Sequence, residues 1–425
     1  VFFTLSKFKE REKMSDIRPF CAVRPNETFA SKIAALPYDV YTRKEAKKEV
    51  EKNPLSFLKI DRPETMFPDE MDMYAPKVYQ KARKVLEEMI EKGEFIQDET
   101  PCYYLYELTR NGHRQTGIVA CASIDDYFNG TIKKHENTRE EKEQDRIRHV
   151  DTLDTQTGPI FLAYRLDAVL KEIIEETKRK TPVYDFISED KITHRVWVID
   201  ESEMMERIQQ CFVKINKIYI ADGHHRAASA IKVGCKRRKE HPGYTGEEEF
   251  NYFLCTLFAE EELEILDYNR VVKDLNGLSE IEFLEKIKES FEVEEAEESP
   301  YAPKQKKEFG MYLGKKWYKL QIKKEQVSDD VVESLDVSIL QNKLLKPILG
   351  IKEPGKDNRI IFVGGIRGLK ELEHCVENGF QVAFSMYPTS MQELFSVADA
   401  GRLMPPKSTW FEPKLRSGLF LHKIG

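Results

Sequence analysis

The chain has 425 residues, too many for one hydrophobic core, so two domains are expected. With 40% hydrophobic, 11% aromatic and 33% charged residues it reads as an ordered globular protein. Its formal net charge of −7 disfavours nucleic acid as a partner, since the overall electrostatic footprint of a DNA binder is missing. No apolar stretch is long enough to span a membrane. The seven cysteines show no CxxC spacing and sit mostly in apolar runs, which suits reduced core thiols of a cytoplasmic protein and offers no zinc set.

Residues 1–13 read as a non-structural N-terminal extension, and residues 14–275 as a first domain. Its opening segments place Arg18, Arg24, Tyr38, Asp39, Lys59 and Arg62 near turns or strand ends. A helix is expected over 44–52, a turn at Asn53-Pro54, and a strand at SFLKI (56–60). A long helix follows over 69–92, with Tyr74, Val78, Ala82, Val85, Leu86 and Met89 on one face and Gly93 as its stop. Two strands then flank Asn111-Gly112, the strongest short hairpin signal in the chain.

The segment GTIKKHENTREEKEQDRIRHVDTL (130–153) is the first constellation with chemical content. A short strand leads to Lys134, His135 and Glu136, and a carboxylate at such a turn can accept a proton from a substrate hydroxyl. Thr138 and Glu141 have capping-box spacing, so the helix is expected to start there, with 140–144 a solvated face. Arg146 and His149, farther along it, are accessory candidates. The next expected elements are a strand GPIFLAYR, a helix over 167–178, and strands YDFI and ITHRVWVI, with His194 structural. A helix SEMMERIQQCF ends the run.

The second constellation is IYIADGHHRAASA (218–230). A β-branched strand runs into Asp222, Gly223, His224, His225 and Arg226, and an Ala-rich helix is expected to stop near Gly234. A strand, a glycine turn and a helix start together expose backbone N–H groups to an anion. Arg226 adds a forked cation, the histidines can move a proton or touch phosphate, and Asp222 can hold a metal. KRRK (236–239) reads as a solvated loop. A buried strand NYFLCTLFA follows, then a polar break with Tyr268, Asn269 and Arg270.

Residues 276–308 read as a helix and charged linker, and 309–425 as a smaller C-terminal α/β domain. It should hold a hairpin (GMYLG, KWYKLQI), a helix near 339–349, a strand RIIFVGG, a helix over 369–377, a strand QVAFSMYP and a helix from Thr389. The glycines of RIIFVGGIRGLKEL fit a tight turn at least as well as a phosphate loop. In MPPKSTWFEPKLRSGLF, Lys407, Ser408, Thr409, Lys414, Arg416 and Ser417 surround Trp410 and Phe411. That mixture suits an anion beside a base, or a tail docked on the first domain.

The KxHE and DGHHR segments resemble the ParB/sulfiredoxin-like superfamily and, within it, the free serine kinases. With IRPF, PYDV, KHENT, ADGHHR, YNRVV and MPPKSTWFEPK, nearly the whole chain also resembles a bacterial domain-of-unknown-function family, number one-zero-one-five. The resemblance implies a mixed α/β fold with a ParB/sulfiredoxin-like core, large additions and a smaller C-terminal α/β unit. It implies Glu136 as base with His135 beside it, residues 222–226 as a phosphate or nucleotide site, and ATP or ADP with Mg2+ as cofactors. The expected activity is a nucleotide-dependent phosphotransferase acting on serine or a similar small hydroxyl metabolite. The alternatives are a phosphoserine phosphatase and a ParB-like nucleotide-binding or DNA-associated regulator; a sulfiredoxin-like reaction would need a reactive thiol such as Cys235. Self-association as a homodimer is the assembly to test.

Overall fold

In the computed structural model residues 14–425 are described, and the extension expected at 1–13 lies outside them. The chain is a mixed α/β protein of two compact units. The first runs to Leu263 and takes back Pro413–Gly425; the second is Glu264–Glu412. The division therefore falls earlier than residue 275, and the final residues return to the first unit.

The first unit is built on a nine-stranded mixed sheet. Its strands are β1 (Ile17–Arg18), β2 (Tyr103–Arg110), β3 (His113–Ser123), β4 (Ile132–Lys133), β5 (Ile160–Tyr164), β6 (Tyr184–Ile187), β7 (Thr193–Ile199), β8 (Ile218–Asp222) and β9 (Tyr252–Ala259). They lie in the order β4-β8-β5-β9-β3-β2-β7-β6, with β1 paired to β3. The β2–β3 hairpin closes through Asn111 (φ 49°) and Gly112 (φ 85°), the left-handed pair that a two-residue turn requires. Both sheet faces are covered, which is why strands such as NYFLCTLFA read as continuous apolar runs. Tyr103, Leu105, Ile118 and Ala120 belong to the core on one face; on the other, Tyr104 and Tyr106 pack on Phe420. Leu419, Phe420 and Leu421 are fully buried, and Val23 and Ala35 exchange backbone hydrogen bonds with Leu421 and Ser417. The terminal tail is thus part of this unit's core.

The longer helices of this unit are α1 (Arg43–Lys52), α2 (Pro76–Glu91), α3 (Glu140–Leu153), α4 (Ala168–Thr177), α5 (Ser202–Lys214) and α6 (His224–Glu240). Several depart from the sequence expectation for local reasons. The SFLKI strand is a helical turn, Leu58–Asp61, because Phe57, Leu58 and Ile60 are all buried, a spacing that suits a turn of helix. The long helix starts at Pro76, not near residue 69, with proline in the first turn where its missing N–H costs nothing. There is no capping box at Thr138. Arg139 precedes α3 without a side-chain cap, and Thr138 Oγ1 donates to Glu143 Oε2 at 2.7 Å. Glu143 is also not solvated: it is 5% exposed and ion-paired with Lys232.

Gly234 does not end α6, which continues to Glu240. A Cβ there would lie 2.4 Å from the Phe250 carbonyl oxygen, so the glycine is needed for close approach. KRRK is consequently the last part of a helix, not a loop; Lys236 and Arg237 pair with Asp151, and Arg238 with Asp125. Gly234→Ala sets a helix-propensity gain of about 1 kcal/mol against overlap with rigid backbone. The overlap should win, with a net destabilisation of about 1–2 kcal/mol. A urea midpoint equal to or above that of the parent would refute this reading.

The second unit carries a six-stranded antiparallel sheet. Its strands are β10 (Tyr268–Val272), β11 (Phe291–Glu295), β12 (Glu308–Leu313), β13 (Lys316–Ile322), β14 (Ile360–Gly364) and β15 (Val382–Met386), in the order β11-β13-β12-β15-β10-β14. The charged stretch expected as a linker contains β11, whose acidic residues lie on the exposed side of an edge strand. Its longer α-helices are α7 (Glu280–Ile287), α8 (Lys370–Glu377) and α9 (Met391–Asp399), and a shorter one, Asp336–Leu340, continues as a π-helical turn over Gln341–Leu345. The RIIFVGG turn is structural: Gly365 N–H donates to the Asp267 carbonyl, and a Cβ on Gly364 would meet the Trp410 ring at 3.0 Å.

Candidate functional site

Strand pairing assembles the site. β8 runs parallel to β4, with Ile218 opposite Ile132 and Tyr219 opposite Lys133. The residues after each strand, Lys134–Glu136 and Asp222–His224, therefore emerge side by side. Gly223 takes a left-handed conformation (φ 88°, ψ 30°) between β8 and α6, and no side chain caps the helix there. The first amides of α6 remain available to an acceptor.

Asp222 is held as an anion. Its Oδ1 accepts from the Gly223 amide at 2.9 Å, and its Oδ2 from Lys414 Nζ at 3.1 Å. Burial alone would raise its pKa, but the Lys414 and Arg226 charges hold it below the usual carboxylate range. A depressed folded-state pKa stabilises the fold above the ordinary carboxylate value of about 4, and that contribution fades as pH falls toward the folded value. Lys414→Met should therefore cost about 1 kcal/mol near neutral pH, discounted for partial exposure of the carboxylate. The gap to the parent should narrow from pH 6 to pH 3 in urea titrations. A gap that stays constant across that range would count against the pairing.

His135 and His224 pack edge to face with ring centroids 4.5 Å apart. The His135 amide points at His224 Nε2 at 3.5 Å, which makes that nitrogen the acceptor and leaves the proton on Nδ1. Nδ1 faces Glu136 Oε2 at 3.9 Å. Burial pushes the His135 imidazole down to about 4; burial and neighbouring His135 push His224 well below its ordinary value. Both rings are neutral at physiological pH. His225 is also lowered, first by burial and then by Lys142. The Nδ1 atoms of His135 and His225 are buried with no hydrogen-bond partner, an arrangement that calls for a ligand or water. Glu136, its side chain 57% exposed, lines a cleft of about 250 Å³ with Tyr127, Lys134, Thr138 and His224.

Arg226 turns the other way. Its Nη1 donates to the Pro159 carbonyl at 2.7 Å, and its guanidinium lies under Gly223, where a Cβ would meet it at 3.1 Å. It shares a small separate pocket with Tyr38, Asp61, Arg146, His149, Thr157 and Ser417. Arg146 stacks on the Tyr38 ring (4.1 Å to the centroid) and bonds Asp145, while His149 Nε2 meets the Ile60 carbonyl at 2.8 Å. Burial pushes His149 down to about 4.

The fold thus brings Lys134, His135, Glu136, Asp222, Gly223 and His224 together, with Arg146 and His149 lining the Arg226 pocket. Arg18 is engaged elsewhere, by Asp16, Glu247 and the Tyr252 ring. Asn269, Arg270, Lys407, Ser408 and Thr409 belong to the second unit. Lys414 as the partner of Asp222 was not evident from spacing; the motif MPPKSTWFEPK was its only signal. Among the described residues no group of three or more His, Cys, Asp or Glu could hold a metal ion. Asp222, already paired with Lys414, does not make a protein-only magnesium site. The Cys235 thiol is pushed up by burial, the wrong direction for a reactive thiolate.

This architecture defines a mixed α/β protein with an anion-type helix start next to a carboxylate. The chain belongs to the family described as Protein of unknown function (DUF1015), whose profile matches residues 17–338. Among curated proteins none matches the sequence. Similar solved structures include a free serine kinase variant in complex with AMP, at 15% identity and TM-score 0.35, covering 69% of this chain and 87% of that one. C-terminally truncated SbnI from Staphylococcus aureus is similar at 13% identity and TM-score 0.38, covering 72% and 87%. A conserved hypothetical protein from Pyrococcus furiosus is similar at 16% and 0.34, covering 72% and 95%. No described helix is long and apolar enough to cross a membrane.

Proposed function

We propose that this protein is a nucleotide-dependent phosphotransferase acting on a small hydroxyl metabolite, with serine as the first substrate to test. The observation that carries the reading is the cleft lined by both Glu136 and His224, the first residue of an uncapped helix. One wall supplies a base and the other supplies amides for phosphate. Phosphoryl transfer chiefly needs positioning and charge neutralisation.

The substrate hydroxyl gives its proton to Glu136 as its oxygen attacks the terminal phosphorus of ATP or ADP. A new O–P bond forms, the bridging O–P bond breaks, and the nucleotide leaves with one phosphate fewer. Neutral His224 presents Nδ1–H to the Glu136 carboxylate and orients it. The amides of α6 hold phosphate oxygens, and Asp222 with Lys414 and Arg226 fixes the turn that positions them. Magnesium, where it accompanies the nucleotide, neutralises phosphate charge; the chain contributes no closed ligand set to it.

The exposure of Glu136 favours one second reading, a phosphoserine phosphatase in which water replaces the hydroxyl. The deciding experiment follows phosphorus NMR of the full chain with serine and ATP or ADP, and of phosphoserine alone, each with magnesium. Phosphoserine formation supports the kinase, and phosphate release from phosphoserine supports the phosphatase. Failure of both reactions under conditions where nucleotide binds would sink the proposal.

A further inference from the structure

The second unit contains a buried cation without a counter-ion. Arg270 lies on β10, between β14 and β15, and is 4% exposed. Its guanidinium donates to two backbone carbonyls, those of Tyr268 and Lys407, the latter at 2.9 Å, and sits 5.4 Å from the Phe362 ring centroid. Among the described residues no carboxylate is recorded as acting on it. Burial lowers its pKa to about 10, and the only opposing influence is the Tyr268 phenol. A guanidinium taken out of water needs an anion or heavy compensation, and carbonyl dipoles alone supply little of it.

A second cation stands beside it. Lys407 is exposed, its carbonyl is the group that Arg270 binds, and its ammonium lies 5.5 Å from the Tyr268 ring centroid. The nearby carboxylates are engaged: Asp267 accepts from Asn269 at 2.5 Å, and Glu412 accepts from the Trp410 indole at 2.9 Å. Trp410 in turn meets Tyr268 edge to face at 5.0 Å. Arg270 and Lys407 are thus neighbours, linked through the Lys407 carbonyl and the Tyr268 residue that each of them touches, with no acid assigned to either cation.

We propose that Arg270 and Lys407 form an anion-binding site in the second unit, suited to a phosphate group. A guanidinium and an ammonium together match a doubly charged tetrahedral anion better than a single carboxylate. The phosphate comes either free or as the monoester of a nucleotide. Nothing in this assignment depends on the phosphotransferase reading.

The test uses the full chain carrying Arg226→Ala, which disables the turn at α6, and titrates it calorimetrically with inorganic phosphate and with AMP. Saturable binding should persist in that background and weaken at least tenfold on adding Arg270→Gln or Lys407→Gln. Because Lys407 is exposed, its variant decides the matter if Arg270→Gln fails to fold. Tighter binding of AMP than of phosphate identifies a monoester ligand, and equal binding identifies the free ion; both support the site. Absence of saturable binding in the Arg226→Ala chain overturns it while leaving the phosphotransferase reading untouched, as does binding unaffected by Lys407→Gln. Binding lost through Arg270→Gln and Lys407→Gln but indifferent to Arg226→Ala supports this site and counts against the earlier reading.

Discussion

Glu136→Gln should fold like the parent, keep its nucleotide affinity and lose phosphoryl transfer by roughly a hundred- to ten-thousand-fold. The side chain is half-exposed and lines the cleft, so exchanging a carboxylate oxygen for an amide nitrogen disturbs no core packing. The amide cannot take the hydroxyl proton. It would also present an N–H group toward His224 Nδ1 in one of its two orientations, disturbing the ring now set by the His135 amide. The measurement is steady-state turnover with calorimetric nucleotide binding on the same preparation. Turnover within threefold of the parent would remove Glu136 from the mechanism. Loss of nucleotide affinity in step with turnover would instead recast it as a binding group.

Arg226→Ala should weaken nucleotide binding by roughly ten- to a hundredfold, through the lost charge at the helix start and a loosened turn. Two effects add. The guanidinium adds positive charge at the start of α6, and it braces the turn through Pro159 and against Gly223. Arg226→Lys separates them, because an ammonium keeps the charge but cannot reproduce the planar fork. Partial rescue by lysine assigns the effect to charge; none assigns it to the shape of the turn. Equal nucleotide affinity for Arg226→Ala and the parent, measured by calorimetry, would reject the turn as the phosphate site.

The contrast between expectation and structure has a consistent physical basis. The β2–β3 hairpin was legible because Asn-Gly encodes a turn within two residues. The β8–α6 junction was legible because a β-branched run, a glycine and an alanine-rich run each have strong local preferences. SFLKI was misread because three apolar residues in a stretch of five fit a strand or a helical turn equally well until Phe57, Leu58 and Ile60 find their neighbours. Gly234 read as a stop because its actual requirement, room for the Phe250 carbonyl, comes from a residue on another element. Acidic β11 looked like a linker because an edge strand can keep its charges in water.

For the site, the amino-acid sequence alone determined the chemistry available: an Asp-Gly-His-His-Arg turn at a helix start, and a His-Glu pair after a short strand. Those are local properties of neighbouring residues. Only the tertiary structure decided that the two segments meet, through the parallel pairing of β4 with β8, and that His135 and His224 are neutral because they are buried against one another. It also decided that Lys414, far along the chain, is the cation that keeps Asp222 ionised. Pairing register, burial and charge proximity depend on residues distant in sequence, and no local pattern encodes them.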